Sequence, residues 1–159
     1  MKPAKLWSKD FIILSVTNFF IALTFYLLMT MMTVYAVDQF RASESMAGLA
    51  SSMFVIGAVF SRLFAGKYLE VIGRKKMLYG SLILFLVASL SYIPIQHIGL
   101  LLALRFIHGA AFGIANNAMS TVVMDLIPPE RRGEGTGYYT LSATGSTAIG
   151  PFLGLFISQ

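Results

Sequence analysis

The stretch AGKYLEVIGRKKML, from Ala65 to Leu78, decides how this chain is read. Four of the chain's twelve basic residues lie in it: Lys67, Arg74, Lys75 and Lys76. Among them sit one acid, Glu70, and one glycine, Gly73. Long apolar sequence flanks the stretch on both sides. A charged connector between two apolar runs is what a chain presents where it leaves a bilayer, turns and re-enters.

Composition agrees. Of 159 residues, 57% are apolar and only 12% charged; a soluble domain carries about 25% charged residues. The net charge of +5 is confined to connectors rather than spread over one face, which argues against nucleic acid as a partner. With no Cys, disulfides and thiolate metal sites are excluded, and neither a metal nor a cofactor is expected. The apolar run Phe11–Val37 is too long for a secretory signal and no small-residue cleavage site follows it. It reads as a retained spanning helix, with Ser8 placed to cap it.

A spanning helix needs about 20 mostly apolar residues. Five segments qualify, at about 11–37, 46–66, 77–95, 98–127 and 137–158. Pro128-Pro129 stop the fourth, since proline has no N–H and restricts the residue before it. No segment alternates with period two, which argues against a membrane barrel. The expected fold is an all-α bundle of five membrane helices, read as one incomplete domain over 1–159.

Basic residues set the expected orientation. With the N-terminus in the cytoplasm, Lys2, Lys5, Lys9, the Lys67–Lys76 loop, Arg131 and Arg132 are all cytoplasmic, nine basic residues in all. Only Arg41 then lies outside, and Gln159 ends on that outer side. Such an inside-positive anchor explains the lysines and arginines of the opening stretch, but not Glu70 or Gly73.

Within the spans, the fourth places Arg105, Gly109, Phe112 or Gly113, Asn116 and Ser120 on one face by three-and-four spacing. The glycines suit close helix packing and Asn116 a bond to a neighbouring helix. Arg105 is different: an arginine inside lipid costs at least about 2.5 kcal/mol on insertion scales, so it must face a polar cavity or a partner. His108, one turn away, suits proton relay and hydrogen-bonded packing equally. Arg62, near the end of the second span, can snorkel to the headgroups or serve a site. In the fifth span Gly150-Pro151 frees a backbone carbonyl and bends the helix, and with Gly154 suits either a tight contact or a pivot. Asn18, Phe25 and Asn116 are candidates for a cavity lining. No enzyme signature is present: no HExxH, no GxSxG, no phosphate loop, and no carboxylate at mid-membrane.

The opening stretch resembles the signature loop between the second and third helices of the major facilitator superfamily, G-x-L-A-D-r-x-G-R-K-x-x-l. The corresponding residues are Gly66, Glu70, Gly73, Arg74, Lys75 and Leu78, with Tyr68, Leu69, Glu70 and Val71 departing from the pattern. RFIHG, Arg105 to Gly109, is similar to the family's fourth-helix R-x-x-q-G motif, with His108 in place of Gln. GPFLG, Gly150 to Gly154, resembles the fifth-helix motif of its antiporters, with Ser146 and Leu155 replacing outer glycines. Asp125 followed by Arg132-Gly133 resembles the E-x6-R-G pattern.

The resemblance implies roles. Gly66, Glu70, Gly73, Arg74, Lys75, Asp125 and Arg132 would form a cytoplasmic latch. Arg105, His108 and Gly109 would serve proton coupling, and Gly150, Pro151 and Gly154 a pivot. It also implies the N-terminal part of a twelve-helix transporter, five helices of a six-helix half, working with the lipid bilayer, a small-molecule substrate, protons and further C-terminal helices. The expected activity is proton-coupled export of small, largely apolar compounds across the cell membrane. The alternatives are uptake or efflux of a polar metabolite, or a non-transporting module that binds a partner helix.

Overall fold

A computed structural model describes residues 5–158. Lys2 and Gln159, which enter the orientation argument, lie outside them. The described chain is five α-helices with no strand among the described residues: α1 (Lys9–Phe40), α2 (Glu44–Ile72), α3 (Arg74–Leu90), α4 (Ile98–Leu126) and α5 (Arg132–Ser158). A single 3-10 turn, Pro129–Arg131, precedes α5.

Local chemistry sets the ends. Ser8 caps α1, its Oγ accepting from the Phe11 N–H at 3.2 Å, and Asp10 sits in the first turn, where the helix dipole favours an anion. The helix closes at Arg41, which takes φ 49°, while the Ala42 N–H reaches back to the Ala36 carbonyl at 3.2 Å. Ser43 caps α2 through the Met46 N–H at 3.3 Å. Between α2 and α3 there is one residue, Gly73, at φ 96°. A side chain there would be strained, so glycine permits a reversal with no loop at all.

Four helices, α1, α2, α4 and α5, are long and apolar enough to cross a membrane. The third departs from expectation. The sequence reading runs it from Met77 to Ile95; the helix occupies Arg74–Leu90, 17 residues, and a turn follows over 91–94. Its start moves forward because Gly73 reverses the chain at once. Its end moves back because Pro94 disfavours a helical Ile93, and the Ser91 N–H closes the helix on the Val87 and Ala88 carbonyls. At about 1.5 Å per residue this helix is about 25 Å long, slightly short of the roughly 30 Å hydrocarbon core. Its outer face, with Ile83, Leu86 and Leu90 more than half exposed, is the kind of apolar surface that lipid covers.

The helices pack in a series. The α2–α4 contact is the most extensive, followed by α1–α5 and α3–α4, with α1 also touching α2 and α4. The α2–α4 seam is made of small residues: Ala47, Ala50, Gly57, Ala58, Ser61 and Ala65 lie on the buried face of α2. A Cβ at Gly109 would fall on the Phe54 carbonyl, and one at Gly57 on the Phe106 carbonyl. The two backbones touch because neither glycine has a side chain, as expected where lipid leaves no hydrophobic drive for helix association. On the α1–α5 seam, Gly150 meets Tyr26 and Gly154 meets Leu27 and Thr30.

The antiparallel course gathers the basic connectors at one end. There, Asp10 of α1 shares a cleft with Lys75 of α3 and Leu126 of α4, and the Trp7 ring lies 4.8 Å from that of Tyr138.

Candidate functional site

Two basic side chains lie fully buried in the packed interior. Arg105 is fully buried on α4. Its Nε donates to the Ala50 carbonyl at 2.9 Å and its Nη2 to the Ser51 carbonyl at 3.3 Å. The guanidinium also stands over the Phe54 ring, 4.7 Å from its centre. The partner that the sequence argument requires is therefore the backbone of α2 and an aromatic face; no carboxylate pairs with Arg105 among the described residues. The Tyr92 side chain also interacts with the guanidinium, and Nη1 is buried with no hydrogen bond of ordinary geometry among the described residues.

His108, one turn on, is also fully buried. Nδ1 lies 2.9 Å from the Tyr92 hydroxyl and Nε2 3.0 Å from Ser89 Oγ. Ser89 Oγ donates to the Phe85 carbonyl at 2.9 Å, so its proton is committed there. Nε2–H must then be the donor to Ser89, and Nδ1 accepts from Tyr92, which satisfies a neutral ring at both nitrogens. The Phe85 and Phe54 rings flank the imidazole at 4.3 and 5.1 Å. Gly109, the last residue of this motif, supplies the close approach to Phe54 described above.

Next to this centre is a cavity of about 300 Å³ among α1, α2, α4 and α5. Phe25, Tyr26, Phe54 and Phe112 form its aromatic wall, and Arg62 and Asn116 are its polar members. Phe25 stacks on Phe54 at 5.1 Å and on Phe112 at 5.4 Å. Of the three candidates for a lining, Phe25 and Asn116 are there and Asn18 is not. Asn18 is 2% exposed and faces α5, where its Nδ2 donates to Ser142 Oγ at 2.9 Å and to the Tyr139 carbonyl at 3.4 Å. It joins α1 to α5, as single polar residues in membrane helices commonly do. From sequence alone a headgroup contact explains Arg62, near a span end, slightly better than a place in a site. Its place beside Asn116 depends on the α2–α4 register, which sequence does not display.

At the end of the bundle, Arg74 and Asp125 form an ion pair between α3 and α4. Both remain about half exposed. Arg131 makes a bidentate pair with Glu134, Nε–Oε2 2.8 Å and Nη2–Oε1 2.7 Å. Of the expected latch residues the structure thus joins Arg74 to Asp125. Glu70, Lys75 and Arg132 make no ion pair among the described residues, and Gly66 faces open space on α2. Glu134 carries a pairing that the motif comparison did not suggest; its i, i+3 spacing from Arg131 was the available signal. In α5, Pro151 lies within the helix, between the two glycines that rest on α1.

The Major Facilitator Superfamily profile matches residues 14–159. The chain belongs to this superfamily. Along 159 residues it is 26% identical to multidrug resistance protein 2 of Bacillus subtilis, covering 99% of this chain and 40% of that protein. Along 158 residues it is 25% identical to the multi-drug resistance efflux pump PmrA of Streptococcus pneumoniae serotype 4, covering 96% and 39%. A shorter match, 30% over 96 residues, relates it to the putative metabolite transport protein YncC of B. subtilis, covering 60% and 20%. The chain therefore spans well under half the length of these superfamily relatives. It is an integral membrane protein of a transporter family, and that family's members are not enzymes.

Proposed function

We propose that this chain forms the N-terminal part of a secondary transporter that exports small, largely apolar compounds in exchange for protons. The observation that carries this reading is the aromatic cavity between α1, α2, α4 and α5. Stacked Phe rings offer apolar area with little lost side-chain freedom, which suits compounds that vary in shape. The names of the multidrug relatives support the same class.

In the proposed cycle the cavity opens to one side of the cell membrane at a time. The N-terminus is cytoplasmic, which places Arg74–Asp125 on the inner face, where the pair holds the inside shut. Arg105 and His108 stiffen the α2–α3–α4 wall and couple it to protonation, and Pro151 gives α5 a place to bend. The remaining helices of a full-length transporter would close the other side of the cavity.

The test is transport in everted vesicles bearing the full-length transporter. An apolar fluorescent dye should accumulate when the vesicle interior is acidified and leak out when the pH gradient is collapsed. Dye movement indifferent to the gradient would refute proton exchange. A second reading, transport of a polar metabolite, is favoured by Arg62 and Asn116 in the lining and by the name of YncC. Competition by polar metabolites but not by apolar dyes would select it.

A further inference from the structure

The cavity's charge is one-sided. Arg62 lines it and makes no hydrogen bond or ion pair among the described residues. Asn116 lines it too, and its side-chain amide makes no hydrogen bond among the described residues. The two belong to the same level of the bundle: Ser61, next to Arg62, meets Gly113, and Asn116 follows Gly113 by three residues. The chain's seven acids, from Asp10 to Glu134, all lie at or beyond helix ends, and none lines the cavity. An apolar wall thus ends in an unpartnered guanidinium and an amide, with no carboxylate to balance them.

We infer that this cavity selects aromatic or otherwise apolar compounds that carry one negative charge, a carboxylate or sulfonate, over apolar cations. The guanidinium fork matches the two oxygens of such a group, and the Asn116 amide supplies another donor at the same end. The ring system of the ligand would lie against Phe25, Phe54 and Phe112. A cation placed there would meet the exposed Arg62 guanidinium with no counter-charge lining the cavity. The inference rests on the proposal that this cavity is a binding site.

The test uses the intact protein in phosphatidylcholine nanodiscs and three probes of one shape: 1-naphthoate, 1-naphthylmethanol and 1-naphthylmethylammonium. Equilibrium dialysis, corrected with empty nanodiscs, gives each affinity. Naphthoate should bind about tenfold tighter than the alcohol, the size expected of one charge-assisted hydrogen-bonded contact, and the ammonium weakest. Arg62→Gln should remove the preference and Arg62→Lys should retain part of it. Phe25→Ala should weaken all three probes alike. If the probes bind equally, or the preference survives Arg62→Gln, the charge inference is overturned, while a loss with Phe25→Ala keeps the cavity as the binding site. If no probe binds above empty nanodiscs, both readings fail together.

Discussion

Arg74 opens α3 and Asp125 sits in the last turn of α4, and the two pair across the gap between these antiparallel helices. Each charge stands at the unfavourable end of its own helix: a cation at the positive end of α3, an anion at the negative end of α4. Each is, however, beside the favourable end of the neighbour's dipole. The pair therefore joins the two helices more than it steadies either. As an exposed pair it contributes only about 0–1 kcal/mol to folding. The same energy matters more to a balance between two transport states, where about 1.4 kcal/mol is a tenfold shift.

Arg74→Ala should therefore leave expression near normal while moving the inward-to-outward ratio several-fold toward inward-open. Labelling a cysteine introduced in the cavity from each side of the membrane reads that ratio, and these 159 residues contribute no competing Cys. The swap Arg74→Asp with Asp125→Arg should restore the ratio. An unchanged ratio in Arg74→Ala would leave the loop as an inside-positive anchor only.

Arg105 should tolerate no replacement in the full-length transporter. Lys offers a compact ammonium and cannot reproduce the paired contacts to the Ala50 and Ser51 carbonyls with the stacked Phe54 face. Losing a hydrogen bond from a charged group costs about 1.5–3 kcal/mol. Arg105→Lys should lower gradient-driven efflux at least tenfold, and Arg105→Ala further. Normal efflux in Arg105→Ala would remove this residue from the coupling scheme.

For His108 the two readings left open by sequence give different mutants. His108→Phe fills similar space but leaves the Tyr92 and Ser89 hydroxyls without their ring partner, which should destabilise by about 1–3 kcal/mol. His108→Gln, the residue that the motif usually carries, can still meet one hydroxyl and should fall between Phe and wild type. Thermal unfolding in detergent orders the three proteins. If His108→Gln is fully stable yet loses gradient-driven efflux, the imidazole is required for proton movement and not only for packing.

The glycines should separate sharply. Gly109→Ala drives a methyl group into the Phe54 carbonyl on a seam that has no room to yield. A loss of about 1–3 kcal/mol is expected, the usual cost of overpacking. Gly66→Ala meets open space on α2, and gaining helix propensity there should be neutral or stabilising by up to about 1 kcal/mol. Folded yield of the two variants after detergent extraction is a sufficient comparison; equal yields would mean that α2 and α4 can separate.

The proposed orientation has its own check. A cysteine at Ser43 should react with an impermeant reagent applied to intact cells, and one at Lys75 only after permeabilisation. The reverse pattern would invert the topology.

Most of the architecture was legible because a membrane span is announced by length and composition. Ser8, Gly73 and Pro128 mark where spans begin, turn or stop, through caps and dihedral limits that are local. The end of α3 was misplaced because the apolar run continues past Leu90, and Pro94 acts on the residues before it. Arg105 could be picked out because burial of a cation demands an explanation. Its partners could not, since a backbone carbonyl leaves no trace in side-chain sequence. The reassignment of Asn18 to a helix seam and of Arg62 to the cavity depends on helix rotation about long axes. Three-and-four spacing names the residues on a face without saying what that face meets.

The bundle's seams differ in kind, and that difference constrains how it can move. On α2–α4, and at Gly154 on α1–α5, glycine rests on backbone carbonyls, so sliding by even part of a turn would collide with main chain. Between α1 and the α2–α4 pair the contact at the cavity is instead Phe25 against Phe54 and Phe112, rings that can re-stack at little cost, and about two turns further along α1 the Thr33 and Ser51 hydroxyls meet at 2.7 Å. Shear in this part of the molecule is therefore channelled to the aromatic boundary, with the glycine-zipped pairs travelling as stiff staves. That boundary is also the wall of the cavity. A guest lying on those rings would occupy the bearing surface itself, so filling the cavity and freeing or jamming the movement become one mechanical event.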